Sequence, residues 1–305
     1  MADELVKILL YFDVFSYPLT KGEIISYSGI GRNGKQSADR ILDSLKERGF
    51  VNYYRGYYYV GNQQSIVPRR IEGNRRAAGR MRDAMRYSRI IAAFPFIRGV
   101  FLSGSLSKGF MAEKDDIDYF IVTEPGRLWL VRTLLTLFKK LFLLNSHKNF
   151  CINYFVDTEH LLITERNRYT ATEVVFLIPV FNSILHGRII EQNSWVKAWY
   201  PDFIQGHDFC HDGSFPIKSL IERLLNNALG DRLEKFFFRS SRSYIQRKYS
   251  RMNQDNFREN FTIRQNELRY LPNRQQPEIL RKYYARIKQF EKDTGMIIEK
   301  NLCIV

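Results

Sequence analysis

Apolar residues recur at helical spacing from Leu5 to Phe12, and after Pro18-Leu19 the pair Thr20 and Glu23 fits a capping box that starts a second helix. A third helix is predicted from about Ser37 to Glu47, with Ile41, Leu42 and Leu45 apolar and Gly49 as its stop. Between Phe50 and Val60 the pattern alternates and turns at Arg55-Gly56, as a two-stranded hairpin does. An arginine-rich helix follows from Pro68 to Ala93, on which Ala78, Met81, Met85 and Ala92 make an apolar stripe. Arg75, Arg82, Arg86 and Arg89 flank the stripe, and Arg69, Arg76 and Arg80 lie further round. Such a helix is either a solvated face or a grip on triphosphate or a polyanionic acceptor.

Val100 to Leu102 and Tyr119 to Val122 read as two apolar strands. The longest apolar run, Leu128 to Leu144, is interrupted by Arg132, Lys139 and Lys140, which share one helical face with Thr133 and Thr136. It predicts an amphipathic core helix and no membrane span. A third apolar segment, Phe150 to Val156, closes at Asp157. Thr170 opens an apolar helix, Ala171 to Leu185, interrupted by Pro179; Thr170 and Glu173 fit a second capping box, and Glu173 is also a candidate base. Residues 217–305 read as helical throughout, with aromatic clusters at Phe236, Phe237 and Phe238 and at Tyr283 and Tyr284. Three parts result: a first unit over 1–62, a core over 63–165 led by the arginine-rich helix, and a helical region over 166–305.

The chemistry concentrates between the two core strands. The first ends in Ser103-Gly104-Ser105, a turn passes through Lys108-Gly109, and Asp115-Asp116-Ile117-Asp118 opens the second. Two carboxylates two residues apart on a strand point to one face, so Asp116 and Asp118 project into one small volume, where a divalent cation would hold them together. The Gly-Ser turn offers backbone N–H groups that approach phosphate with no Cβ in the way, backed by Lys108. Gly104-Ser105, ten intervening residues, then Asp116-hydrophobic-Asp118-hydrophobic resembles the signature of the nucleotidyltransferase fold, shared by DNA polymerase beta, the antibiotic nucleotidyltransferases and the CCA-adding enzymes. The resemblance covers roughly a third of the chain, on the scale of one small domain.

It implies an α/β (α+β) core on a small mixed sheet that moves a nucleoside monophosphate from a nucleoside triphosphate, ATP among the donors, to an acceptor. Asp116 and Asp118 would hold one or two Mg²⁺ (or Mn²⁺) ions, and Gly104, Ser105 and Lys108 the β- and γ-phosphates. In that family a third strand carries a further carboxylate facing the pair. Here the segment offers Asn153 within it and Asp157 at its end, on one strand face. Family geometry favours Asn153, which would complete the metal site without serving as a base, whereas only Asp157 has the proton affinity of one.

Net charge is +15 over 305 residues, with 19 Lys and Arg against 10 Asp and Glu in 217–305, which favours a phosphorylated or polyanionic partner. The acceptor is left open among small molecule, protein and nucleic acid. Three short helices and a hairpin resemble a winged helix-turn-helix, so a second class is open: a non-catalytic, nucleotide-sensing regulator that binds DNA through this unit. Its third helix balances Asp39, Asp43 and Glu47 against Arg40, Lys46 and Arg48, without the basic excess of a DNA reader. Cys151, Cys210 and Cys303 form no disulfide framework, and Met-Ala-Asp-Glu-Leu lacks a signal-peptide pattern, so a cytoplasmic location is expected. His207, Cys210 and His211 beside Asp208 and Asp212 read as a polar loop in preference to a zinc site.

Overall fold

The computed structural model describes residues 2–30, 35–146, 148–204, 206, 209–210, 213, 215–271 and 276–298. It is a mixed α/β (α+β) structure with twelve α-helices and two sheets among those residues.

The N-terminal unit follows its sequence pattern closely. Helix α1 (Ala2–Asp13) is buried over nearly its whole circumference, from Leu5 to Phe12. Thr20 and Glu23 make the reciprocal capping box at the start of α2 (Lys21–Ser28), which satisfies two otherwise unpaired backbone donors. After α3 (Lys35–Glu47) come β2 (Asn52–Tyr54) and β3 (Tyr57–Tyr59), joined through Arg55 (φ 49°) and Gly56 (φ 88°). Two positive φ values in a two-residue loop match the right-handed twist of the paired strands. A two-residue strand, β1 (Leu19–Thr20), completes a three-stranded sheet in the order β1-β3-β2.

Helix α4 (Ile66–Ala92) ties this unit to the rest. Arg70 is buried, pairs with Glu23 at 2.6 Å, donates to the Pro18 carbonyl and lies over the Tyr17 ring. The apolar stripe of α4 differs from the one the sequence predicts. Gly73, Ala77, Ala84, Ser88 and Ile91 face the core, while Ala78 is exposed and Met81 and Met85 are half-buried. Small residues win because the helix lies close against its neighbours: a Cβ on Gly73 would meet the Phe110 ring at 2.2 Å, and Tyr119 donates its hydroxyl to the Ala84 carbonyl. Hydrophobic periodicity weights methionine over glycine and so places Ala78, Met81 and Met85 beside the buried row, whereas Ala92 is buried as the pattern predicts.

The main sheet has six strands in the order β7-β4-β5-β6-β9-β8. Strand β4 (Ile97–Ser103) leads into a one-turn helix α5 (Gly104–Ser107), and β5 (Asp118–Thr123) pairs antiparallel with β4. Helix α6 (Leu128–Phe142) is the crossover to β6 (Cys151–Asp157), which runs parallel to β5. Phe101, Phe120, Val122 and Val156 face a core shared with α1 and the later helices, and Val100, Leu102, Tyr119, Ile121 and Phe155 face one shared with α4 and α6.

The apolar run read as one helix, Ala171 to Leu185, is instead α7 (Arg168–Val175), β7 (Ile178–Phe181) and α8 (Ser183–Gln192), with a 3₁₀ turn at Ser194–Ala198. Pro179 sits in β7 at the sheet edge, the place where a residue lacking an N–H is tolerated. The last part is not helical throughout. Helices α9 (Pro216–Leu225), α10 (Ala228–Lys248) and α11 (Gln254–Asn260) are followed by a hairpin, β8 (Phe261–Ile263) and β9 (Glu267–Tyr270), which extends the sheet by pairing with β6. Helix α12 (Gln276–Thr294) then returns to α1, with Tyr283 edge-on to Tyr11 at 5.4 Å.

Candidate functional site

The β4–β5 register pairs Ser103 with Asp118, so the turn after β4 lies directly against the first residue of β5. Gly104 has φ +65°, and a Cβ there would sit 2.3 Å from Asp118 Oδ2, so both conformation and space demand glycine. Gly104→Ala is therefore expected to lower stability by about 2 kcal/mol or more, read as a shifted denaturant midpoint. A midpoint equal to wild type would show that the turn does not hold this geometry.

Ser105 and Lys108 are both engaged. Ser105 Oγ donates to Asp115 Oδ2 at 2.9 Å, and the same oxygen accepts the Ala112 N–H at 2.8 Å. Asp115 is thus the clip of the loop, a role the sequence gives no sign of. Lys108 Nζ donates to the Gly104 carbonyl at 3.0 Å and pairs with Glu173 at 3.0 Å, while the Lys108 carbonyl accepts the hydroxyl of Tyr17 from the N-terminal unit. Glu173 therefore does not close a capping box with Thr170. Asn167 caps α7 by accepting the Thr170 N–H, which leaves Glu173 in the second turn pointing to Lys108.

Strand β5 begins at Asp118, so Asp116 stands in the loop before it and not on the strand. The two carboxylates still share one field. Burial pushes the Asp118 carboxyl up to about 6, Glu173 and Asp116 push the same way, and a hydrogen bond with Cys151 and the charge of Lys108 pull against them. Cys151 is a free, buried thiol whose own acidity is weakened, first by burial and then by the Asp118 charge. A half-buried carboxylate with two acidic neighbours and one already paired lysine is short of positive charge.

Asn153 donates from Nδ2 to Asp118 Oδ1 at 3.3 Å and to Cys151 Sγ at 3.1 Å. The register shows why it reaches. Cys151 and Ile152 pair with Asp118 and Tyr119, then Tyr154 pairs with Phe120, so Asn153 is the extra residue of a bulge. Tyr154 stacks on Phe120 at 4.8 Å, on the Asp118 face. The same bulge reverses the alternation for the rest of β6, so Asn153 and Asp157 do not share a face as simple period-two counting predicts. Asp157 pairs with Thr123 on the α6 side, roughly 17 Å along the strand from the Asp118 end, at ~3.3 Å per residue. There it is buried, accepts the Glu159 N–H at 3.0 Å and pairs with His160 Nδ1 at 2.7 Å. Asp157→Asn is expected to lower the melting temperature while leaving any turnover within about tenfold, short of the ~10²–10⁴ lost with a general base; a loss of the larger size would return Asp157 to the site.

The arginines of α4 divide. Arg80 pairs with Asp83 and donates to Asn149 and to the Lys148 carbonyl, which also accepts the Ile117 N–H beside the carboxylates. Arg69 lies over the Phe110 ring of the same loop at 5.6 Å. Arg82, Arg86 and Arg89 instead line an apolar cavity with Met81, Met85 and Phe209. His207, Asp208, His211, Asp212 and Cys303 lie outside the described residues.

Among the described residues no group of three or more His, Cys, Asp or Glu side chains is arranged to hold a metal ion. The hard oxygens of Asp116 and Asp118 nevertheless fit Mg²⁺ or Mn²⁺, which bind through one or two carboxylates together with substrate phosphate and water. A scan against protein-family models, a search of curated proteins and a search of solved structures each return no match for this chain.

Proposed function

We propose that the chain is a metal-dependent nucleotidyltransferase that moves a nucleoside monophosphate from a nucleoside triphosphate to an acceptor hydroxyl or other nucleophile. The observation that carries the reading is the contact of the Gly104 turn with Asp118. It puts a phosphate-compatible backbone against a carboxylate that lacks compensating positive charge. Asp116 and Asp118 would hold Mg²⁺ or Mn²⁺, which neutralises the triphosphate and lowers the pKa of the attacking group. The Gly104 and Ser105 N–H groups and Lys108 would hold the β- and γ-phosphates, and Asn153 orients the Asp118 carboxylate. An amide has no useful proton affinity near neutral pH, so Asn153 takes no proton from the acceptor.

The N-terminal unit is winged-helix-like in this reading and serves as a packing module. Its first helix is buried against the body, and Tyr17 holds the backbone of Lys108. In α3 Ala38, Leu42 and Leu45 are buried, and Lys21 pairs with Asp39. The regulator reading requires a helix surface free to enter a groove and basic in balance. Incubation with Mg²⁺ or Mn²⁺, each α-labelled nucleoside triphosphate and fractionated cell extract tests the proposal. Metal-dependent pyrophosphate release with label on a new product is the expected result. Nucleotide binding without any release, joined to selective duplex binding, would establish the regulator instead.

A further inference from the structure

Three neighbouring helices away from the Asp118 site expose apolar side chains at helical spacing. On α9 these are Ile217, Leu220 and Leu224, and on α10 Leu229 and Phe236, all between 56% and 74% exposed. Spacings of three, four and seven residues put each set on one side of its helix. On α6, which packs along α10, Leu137 and Leu141 repeat the spacing of four, each at least half exposed. Exposed apolar residues scattered singly need no explanation, but rows at helical spacing on adjoining helices mark an interaction surface.

The charges identify the occupant. Between Pro216 and Lys248 eight Lys and Arg stand against three acids, and α6 has no acid at all. All three acids are already paired, although Asp231 remains exposed. Glu222 accepts from Phe96 N and Arg98, Asp231 pairs with Arg127 at 2.7 Å, and Glu234 accepts the Trp129 and Leu130 N–H groups at the start of α6. Lys218 is the inward exception among the cations, donating to the Ala92 and Ile97 carbonyls. Arg223, Arg232, Lys235 and Arg239 are exposed and have no carboxylate partner among the described residues. The result is apolar rows interleaved with cations that no local acid neutralises.

We propose that this face docks the protein on an anionic lipid bilayer, with the apolar rows entering the headgroup and acyl boundary and the cations meeting lipid phosphate and carboxylate. No helix among the described residues is long and apolar enough to cross a membrane, so the attachment is peripheral. A second copy of the chain would bring two basic faces together. The inference does not depend on the proposed transferase activity.

Vesicle co-sedimentation of the full chain at physiological salt tests it, with phosphatidylcholine alone and with roughly one-third phosphatidylserine. Binding to the mixed vesicles and not to pure phosphatidylcholine is expected. Leu220→Ser with Leu224→Ser should weaken it at least tenfold, and Arg232→Gln, Lys235→Gln and Arg239→Gln together by about a hundredfold. All five positions are exposed, and unchanged melting temperatures would confirm intact folds. Failure to bind the mixed vesicles overturns the proposal. So does an apolar double variant that binds as wild type, because the protein would then adsorb as any polycation does. Single-stranded RNA is titrated in parallel, and tight RNA binding lost only in the charge variant, with vesicles ignored, would assign the face to nucleic acid.

Discussion

Asp118→Asn is expected to abolish metal-dependent nucleotidyl transfer and at the same time to make the protein more stable. The wild-type carboxyl titrates at about 6 against an ordinary 3.8, first because it is buried and then because Glu173 and Asp116 are near. Between about pH 4 and pH 6 the folded chain keeps a proton that the unfolded chain releases, so without metal the wild type loses stability as pH rises through that window. The full loss is on the order of 3 kcal/mol and is present at pH 7. Asparagine keeps the volume and carries no charge, so the variant should show a flat profile over the window and a higher melting temperature at pH 7 in metal-free buffer. Adding Mg²⁺ should raise the melting temperature of the wild type and not that of the variant. Turnover should fall by about 10³-fold or more, the size of a transition-state charge contact in phosphoryl transfer. An Asp118→Asn protein that is less stable at pH 7, or that still turns over, would remove Asp118 from the centre of the site.

Sequence pattern alone carries the first unit and the two central strands, because there local and long-range demands agree. The capping box at Thr20 and Glu23 and the Arg55-Gly56 turn are local structures with local causes, and both stand where the pattern puts them. The candidate site is legible up to its register. Gly104 meets Asp118 as the spacing suggests, but Ser105 bonds Asp115 and Asp116 falls short of the strand. Asn153 reaches Asp118 only because of a bulge that no composition announces, and the same bulge carries Asp157 to the other face. Glu173 illustrates a different failure. Thr170-x-x-Glu173 is a sound capping motif, yet Asn167 stands three residues earlier and takes the cap. Two local motifs competed, and the tertiary partner Lys108 decided between them. The short strands β7, β8 and β9 were hidden because their apolar residues also suit helices, and only pairing with β4 and β6 distinguishes the two.

Lys108 stands between two demands, and its removal should separate them. In the structure Nζ joins the Gly104 carbonyl to Glu173, so it braces the turn; in the proposed reaction the same ammonium meets the β- and γ-phosphates. Lys108→Met leaves Glu173 without its partner beside Asp118. Because Glu173 is partly exposed, the stability lost should be about 1–2 kcal/mol, well below the 3–5 of a fully buried broken pair. Nucleoside triphosphate affinity should fall ten- to a hundredfold, the size of one or two charge-assisted hydrogen bonds. Lys108→Met combined with Glu173→Gln is the deciding variant. Removing the stranded charge should recover most of the stability, and it should also ease the proton from Asp118 by deleting a neighbouring negative charge. It offers no cation to phosphate, so nucleotide affinity should stay as low as in Lys108→Met alone, measured by titration calorimetry with a non-hydrolysable triphosphate and Mg²⁺. Recovery of affinity along with stability would mean that Lys108 serves only to hold Glu173 and the turn in place, and the phosphate contact would then have to be sought in Arg69 or Arg80 at the loop's edge.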